Sequence, residues 1–147
     1  MAEKYPEAQI VGTDLSAIQP GAVPPGVQFE IDDWDDDWTY SAPFDFVHNR
    51  FNCTAVSNWS QICSKSFAAL KPGGWIELAD LTNPPHSDDG SIPINSQLCQ
   101  FFIELTEGCS KAGRDLHAPK KWPSYVSEAG FTNIHERTFK VPIGGWP

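Results

Sequence analysis

The stretch ALKPGGWIELAD, Ala69 to Asp80, constrains the fold most. Asn58 to Leu70 reads as a helix, with Trp59, Ile62, Cys63, Phe67 and Leu70 at helical spacing. It stops at Lys71-Pro72-Gly73-Gly74 and turns at once into an apolar segment, Trp75 to Leu81, that reads as a strand. Glycine supplies backbone angles that other residues resist, so this turn is structural. A helix delivered straight into a strand asks for a sheet with helix cover.

The rest of the chain agrees. Ala2 to Tyr5 reads as a helical turn stopped by Pro6, and Gln9 to Thr13 as a short strand. Val27, Phe29 and Ile31 alternate with polar residues, as a strand does. Phe44 to Val47 reads as a short buried strand entering His48-Asn49-Arg50-Phe51. Ile94 to Lys111 is the longest predicted helix, with Leu98, Phe101, Phe102 and Leu105 on one face. Pro119 to Ala129 is another, closed by Gly130; Phe131 to Val141 is strand-like and Pro142 to Pro147 is loop. The predicted order is mostly α/β alternation, which favours a parallel sheet with helices on its faces. At 147 residues the expectation is one domain, spanning 1–147.

The net charge of −9 argues against nucleic acid or an anionic membrane as partner. Much of the imbalance is local, in Asp32–Asp33 and Asp35–Asp37. That cluster lacks the glycine of a calcium loop, so no metal site is expected there. The four cysteines form no CxxC pair and no histidine lies at finger spacing, which leaves buried thiols as the reading. MAEKYPEAQ is neither a signal nor a transit peptide, and no apolar run has the length of a membrane span. The expectation is a cytoplasmic or nuclear protein. Asn52-Cys-Thr and Asn58-Trp-Ser then read as chance matches to the glycosylation pattern.

Three stretches carry candidate chemistry. In QIVGTDLS, Asp14 sits at the carboxyl end of a strand, where ligands bind in open α/β sheets and an acid accepts from both ribose hydroxyls. It reads equally well as the N-cap of the Ser16 turn or a solvated loop acid. In FEIDDWDDDW, Asp33 and Trp34 stand where adenosyl-binding folds hold the adenine edge; a solvated acidic loop with surface tryptophans fits as well. In FDFVHNRFN, a strand delivers His48, Asn49 and Arg50 to its carboxyl end, with His48 a base near neutral pH. Local structural roles fit these three equally.

Together with AEKYPEAQIVGTDLSAIQP, SFAALKPGGWIELAD and SEAGFTNIHERTFKVPIGGWP, these stretches resemble the class I S-adenosylmethionine-dependent methyltransferases, and more closely the fungal LaeA-like family of secondary metabolism. The resemblance implies a Rossmann-like sheet. It implies that Asp14 binds the cofactor ribose, Leu15 packs on adenine, Asp33 and Trp34 hold the adenine edge, and Asn49 and Arg50 line the floor near the methionine part. His48 and Arg50 are the candidate catalytic residues. The family's first strand, its DxGxGxG-type loop and its N-terminal helical region have no counterpart in these residues, so the expectation is a truncated methyltransferase domain.

In the family that first strand lies between the strands carrying Asp14 and His48. Two open strand edges are therefore expected, covered by direct pairing, a partner subunit or, most simply, a twofold homodimer. The expected function is methyl transfer to a small natural-product substrate, once a partner or further segment completes the site. Two other readings stand beside it. One is a non-methylating descendant that directs a cyclisation, isomerisation or pericyclic step on an apolar intermediate walled by Trp34, Trp38, Phe51, Trp75 and Phe101. The other is a non-catalytic binding or regulatory subunit.

Overall fold

The structure, a computed structural model, describes residues 1–143. The chain divides into two compact units, Met1–Thr39 and Tyr40 onward. Among the described residues no helix is long and apolar enough to cross a membrane.

The first unit is built on two parallel strands, β1 (Ile10–Asp14) and β2 (Val27–Ile31), paired from Ile10↔Val27 to Asp14↔Ile31. The alternation in VQFEI places β2 over the five residues that the sequence indicates. The proline-rich connection returns at Gly26, whose φ of 79° favours glycine and whose carbonyl accepts from Ile10 N–H at 2.8 Å. None of this unit's residues is fully buried, and Ile31 is 65% exposed.

The second unit pairs β3 (Phe44–Arg50) with β4 (Leu70–Ala79), again in parallel, with helix α1 (Trp59–Ala69) as the crossover. Asn58 caps α1 by accepting from Gln61 N–H at 3.1 Å, so that half of its glycosylation sequon is a structural cap. The Pro72-Gly73-Gly74 turn lies within β4. Phe44 pairs with Leu70 but Phe46 with Trp75, so two residues of β3 are matched by five of β4, with Gly73 at φ 82°. Helix α2 spans Gln97–Lys111, capped by Ser96. A 3₁₀ turn at Ala118–Lys121 precedes α3 (Trp122–Ala129), which ends at Gly130.

The core of this unit lies between one face of the β3–β4 pair and the helices. Val47, Val56, Trp59, Ile62, Cys63, Trp122 and Val126 are buried, with the Trp59 and Trp122 rings 4.9 Å apart. The other face of the pair stays open: Phe46 is 36% and Trp75 58% exposed.

Several expectations change: α2 begins at Gln97 rather than Ile94, and β4 runs over Leu70–Ala79 rather than Trp75 to Leu81. Phe131 to Val141 is not a strand, because a strand exists only in a ladder and this segment finds no edge to pair with; it is exposed beyond Phe131, whose ring meets Phe67 at 5.1 Å. The strand expected over Phe44–Val47 runs on to Arg50, because β4 continues the ladder to Ala79. The expected terminal loop lies outside the described residues from 144 on.

Candidate functional site

In the first unit, β1 and β2 end side by side. Asp32 N–H donates to the Asp14 carbonyl at 3.2 Å, so the chain leaving β2 begins its acidic loop beside Asp14. The Trp34 indole N–H donates to Thr13 Oγ1 at 2.9 Å and ties that loop back to β1. Trp38 stacks edge-on against Trp34, ring centres 5.1 Å apart. The tryptophans thus brace a loop whose carboxylates repel one another.

Asp14 and Asp33 are used alike. Asp14 Oδ1 accepts from Ser16 N–H at 2.8 Å and Asp33 Oδ1 accepts from Asp35 N–H at 2.9 Å. Each spends one oxygen on a tight turn that fixes its side chain. The second oxygen, Oδ2, has no hydrogen-bond partner among the described residues in either case. Leu15, next to Asp14, is 56% exposed.

In the second unit, alternation along β3 separates the three candidates. His48 and Arg50 lie on the open face with Phe46, whose ring stacks on the imidazole at 6.1 Å. Asn49 lies on the opposite face with Val47; it is 1% exposed, and neither amide atom has a partner. His48 pairs across the ladder with Glu77, Nδ1 to Oε2 at 2.9 Å. The contact orients the ring; in the tautomer with the proton on Nδ1, that nitrogen donates to Glu77 and Nε2 is left to accept.

Sequence reasoning missed what happens just past β3. Phe51 N–H donates to the Ala79 carbonyl at 3.0 Å, and Cys53 N–H donates to Asp80 Oδ2 at 2.9 Å. Between these anchors Phe51 takes φ 58°, a left-handed conformation that costs a bulky residue about 1–2 kcal/mol. The Arg50 guanidinium lies 4.8 Å from the Phe51 ring centre. No sequence signal marks that φ; the Glu77 partner was legible only as an acid inside a strand. Burial, then the hydrogen bond and charge of Asp80, push the Cys53 thiol well above its ordinary range, so it stays protonated.

Beyond the strands, burial draws the Asp115 carboxyl upward, but Lys121 Nζ at 2.6 Å and the His117 backbone N–H at 2.8 Å outweigh it and hold its pKa below the ordinary carboxylate value. The same pairing raises Lys121.

A family model described as a methyltransferase domain matches residues 1–136. The chain is 38% identical to a protein named methyltransferase pytC of Aspergillus terreus, over all of this chain and 46% of that protein. It is 35% identical to probable methyltransferase tdiE of Emericella nidulans, over 99% of this chain and 46% of that one. To the secondary metabolism regulator LAE1 of Cochliobolus heterostrophus it is 33% identical, over all of this chain and 49% of that protein. The chain spans about half the length of the curated relatives it matches.

Proposed function

This chain belongs to the methyltransferase domain family, and we propose that it carries the adenosine-holding and acceptor-facing parts of an S-adenosylmethionine-dependent methyltransferase of fungal secondary metabolism. The observation that carries this is the matched use of Asp14 and Asp33. Each is fixed by one oxygen in a turn and keeps the other without a protein partner, at the carboxyl ends of neighbouring parallel strands. That pair of acceptors fits an adenosine, which offers ribose hydroxyls and an adenine amino group as donors.

When bound, S-adenosylmethionine would supply the activated methyl group. Asp14 accepts from the ribose hydroxyls and Leu15 covers the adenine. Asp33 accepts from the adenine amino group, and the Trp34 backbone meets the ring edge. Asn49 serves the methionine part, and Arg50, on the open face with His48, meets the acceptor. For Asn49 that role requires an opening, because its amide is buried in the present packing. His48 is the base: with Glu77 on Nδ1, its Nε2 takes the proton that a hydroxyl or amine acceptor releases. The acceptor is a small natural-product molecule.

A second polypeptide, most simply another copy related by a twofold axis, covers the open surfaces. Support comes from a first unit without a fully buried side chain and from a second sheet with Phe46 and Trp75 exposed. Parallel sheets are otherwise covered on both faces.

Calorimetric titration tests the reading. Adenosine binds the chain, and Asp14→Ala or Asp33→Ala weakens it roughly tenfold, the loss of about one charge-assisted hydrogen bond. No heat at millimolar adenosine defeats it. A monomer mass by light scattering at micromolar concentration defeats the dimer.

A further inference from the structure

Where β3 runs out, the end of β4 catches the chain twice, at Phe51 N–H and at Cys53 N–H. Asp80 is committed to this: its Oδ2 takes Cys53 N–H at 2.9 Å and its Oδ1 takes Leu81 N–H at 2.8 Å. The outcome is a strained Phe51, φ 58°, a residue 53% exposed whose ring lies under the Arg50 guanidinium. A left-handed phenylalanine persists only where its surroundings over-determine it, and such residues gather at ligand sites.

Arg50 is unusual in a second way. The chain has 19 acidic side chains against 10 basic ones, yet no carboxylate lies within ion-pair distance of this guanidinium among the described residues. A guanidinium held over a ring, here 4.8 Å from its centre, still has N–H donors to offer, and these match a carboxylate in bidentate fashion. Beside them stands an exposed aromatic face, which suits a flat apolar group.

We propose that Arg50 and Phe51 form a recognition site for a planar, carboxylate-bearing ligand, an aromatic or conjugated acid. Arg50 forks the carboxylate, Phe51 stacks against the ligand ring, and Asp80 is the positioning residue that holds Phe51 in its strained conformation. The site deepens the proposed function by naming the acceptor class, and it rests on that reading only in calling the ligand an acceptor.

Three probes separate the sources of the signal: benzoate, the neutral benzamide, and acetate, a carboxylate without a ring. In an NMR titration, benzoate shifts the Arg50 side-chain and Phe51 amide resonances and saturates in the millimolar range. Benzamide and acetate bind about tenfold more weakly, for want of the ion pair or the stacking face respectively. Arg50→Lys keeps the charge but loses the fork, so benzoate binding falls roughly fivefold.

Phe51→Gly is the decisive variant, because glycine accepts φ 58° without strain. Its unfolding midpoint is not lowered, while benzoate binding falls about as far as for acetate. Phe51→Leu keeps an apolar side chain and loses only the ring, with the same loss of benzoate. Equal binding of benzoate and benzamide, equal binding of benzoate and acetate, or unchanged benzoate binding in Phe51→Gly and Phe51→Leu each overturns the site. Adenosine titration of the same variants keeps the two proposals apart. If adenosine fails to bind while benzoate binds, the methyltransferase reading fails and the acid site stands; the reverse result fails the acid site alone.

Discussion

His48 and Glu77 stand directly opposite each other in the parallel ladder of β3 and β4, and the imidazole Nδ1 lies 2.9 Å from Glu77 Oε2. Both side chains are substantially exposed, so the pair orients the imidazole more than it stabilises the fold. A double-mutant cycle with His48→Ala and Glu77→Gln, read by urea unfolding, should give a coupling of about 0.2–1 kcal/mol that shrinks with added salt.

Two glycines with similar backbone angles should answer differently to alanine. Gly26 has φ 79° and Gly73 φ 82°. A Cβ at Gly26 would lie 2.8 Å from the Ala8 carbonyl oxygen, whereas one at Gly73 meets nothing within 4 Å. Gly73→Ala should therefore cost about 1 kcal/mol from conformation alone. Gly26→Ala should cost clearly more, on the order of 2–3 kcal/mol, because backbone must also move. Paired denaturant titrations check the order.

The cysteines make a chemical prediction. Cys53, Cys63 and Cys99 are buried and Cys109 is half-buried. At pH 8 an aromatic disulfide reagent should modify Cys109 first and the other three only on unfolding. Burial pushes the Cys63 thiol up from 9.0 to about 11. The folded value lies above the unfolded one, so the stability linked to this thiol is whole below about pH 9. It is lost as pH rises through about 11, by up to roughly 2–3 kcal/mol. Unfolding followed between pH 8 and 11 should show that decline, and Cys63→Ala should reduce it by about half, the rest coming from the still more strongly raised Cys53.

Asn49 should trade stability against function. Its amide is buried with both polar atoms unpartnered, a state that costs about 1–3 kcal/mol. Asn49→Leu, similar in volume, should raise the unfolding free energy by about 1–2 kcal/mol. If Asn49 serves the proposed cofactor site, calorimetry of the same variant should show S-adenosylmethionine binding weakened.

The regularities that the sequence displays are local ones, and they were legible. The period-two pattern of VQFEI located β2, and the helical spacing of Trp59, Ile62 and Cys63 located α1, although Asn58, read as its first residue, is its cap. The sequence could not show how far a ladder extends, because that depends on the neighbour. β4 carries the pairing to Ala79, and this turned His48, Asn49 and Arg50 from consecutive loop residues into residues on alternating faces. Phe131–Val141 failed for the converse reason: its composition suits a strand but no edge received it. In the site, the acids at the strand ends followed from position, whereas their shared habit of giving Oδ1 to a turn, and the left-handed Phe51, depend on backbone angles that side-chain types do not encode.

The first unit's lack of any fully buried side chain has a consequence for lifetime. A two-stranded ladder without a core opens often, exposing its amides to solvent and its connections to proteases. Uncovered, the segment from Met1 to Thr39 should exchange deuterium first and be cut first. Whatever binds over it would then act as a guardian against turnover, so the amount of this protein in a cell should follow the amount of its cover.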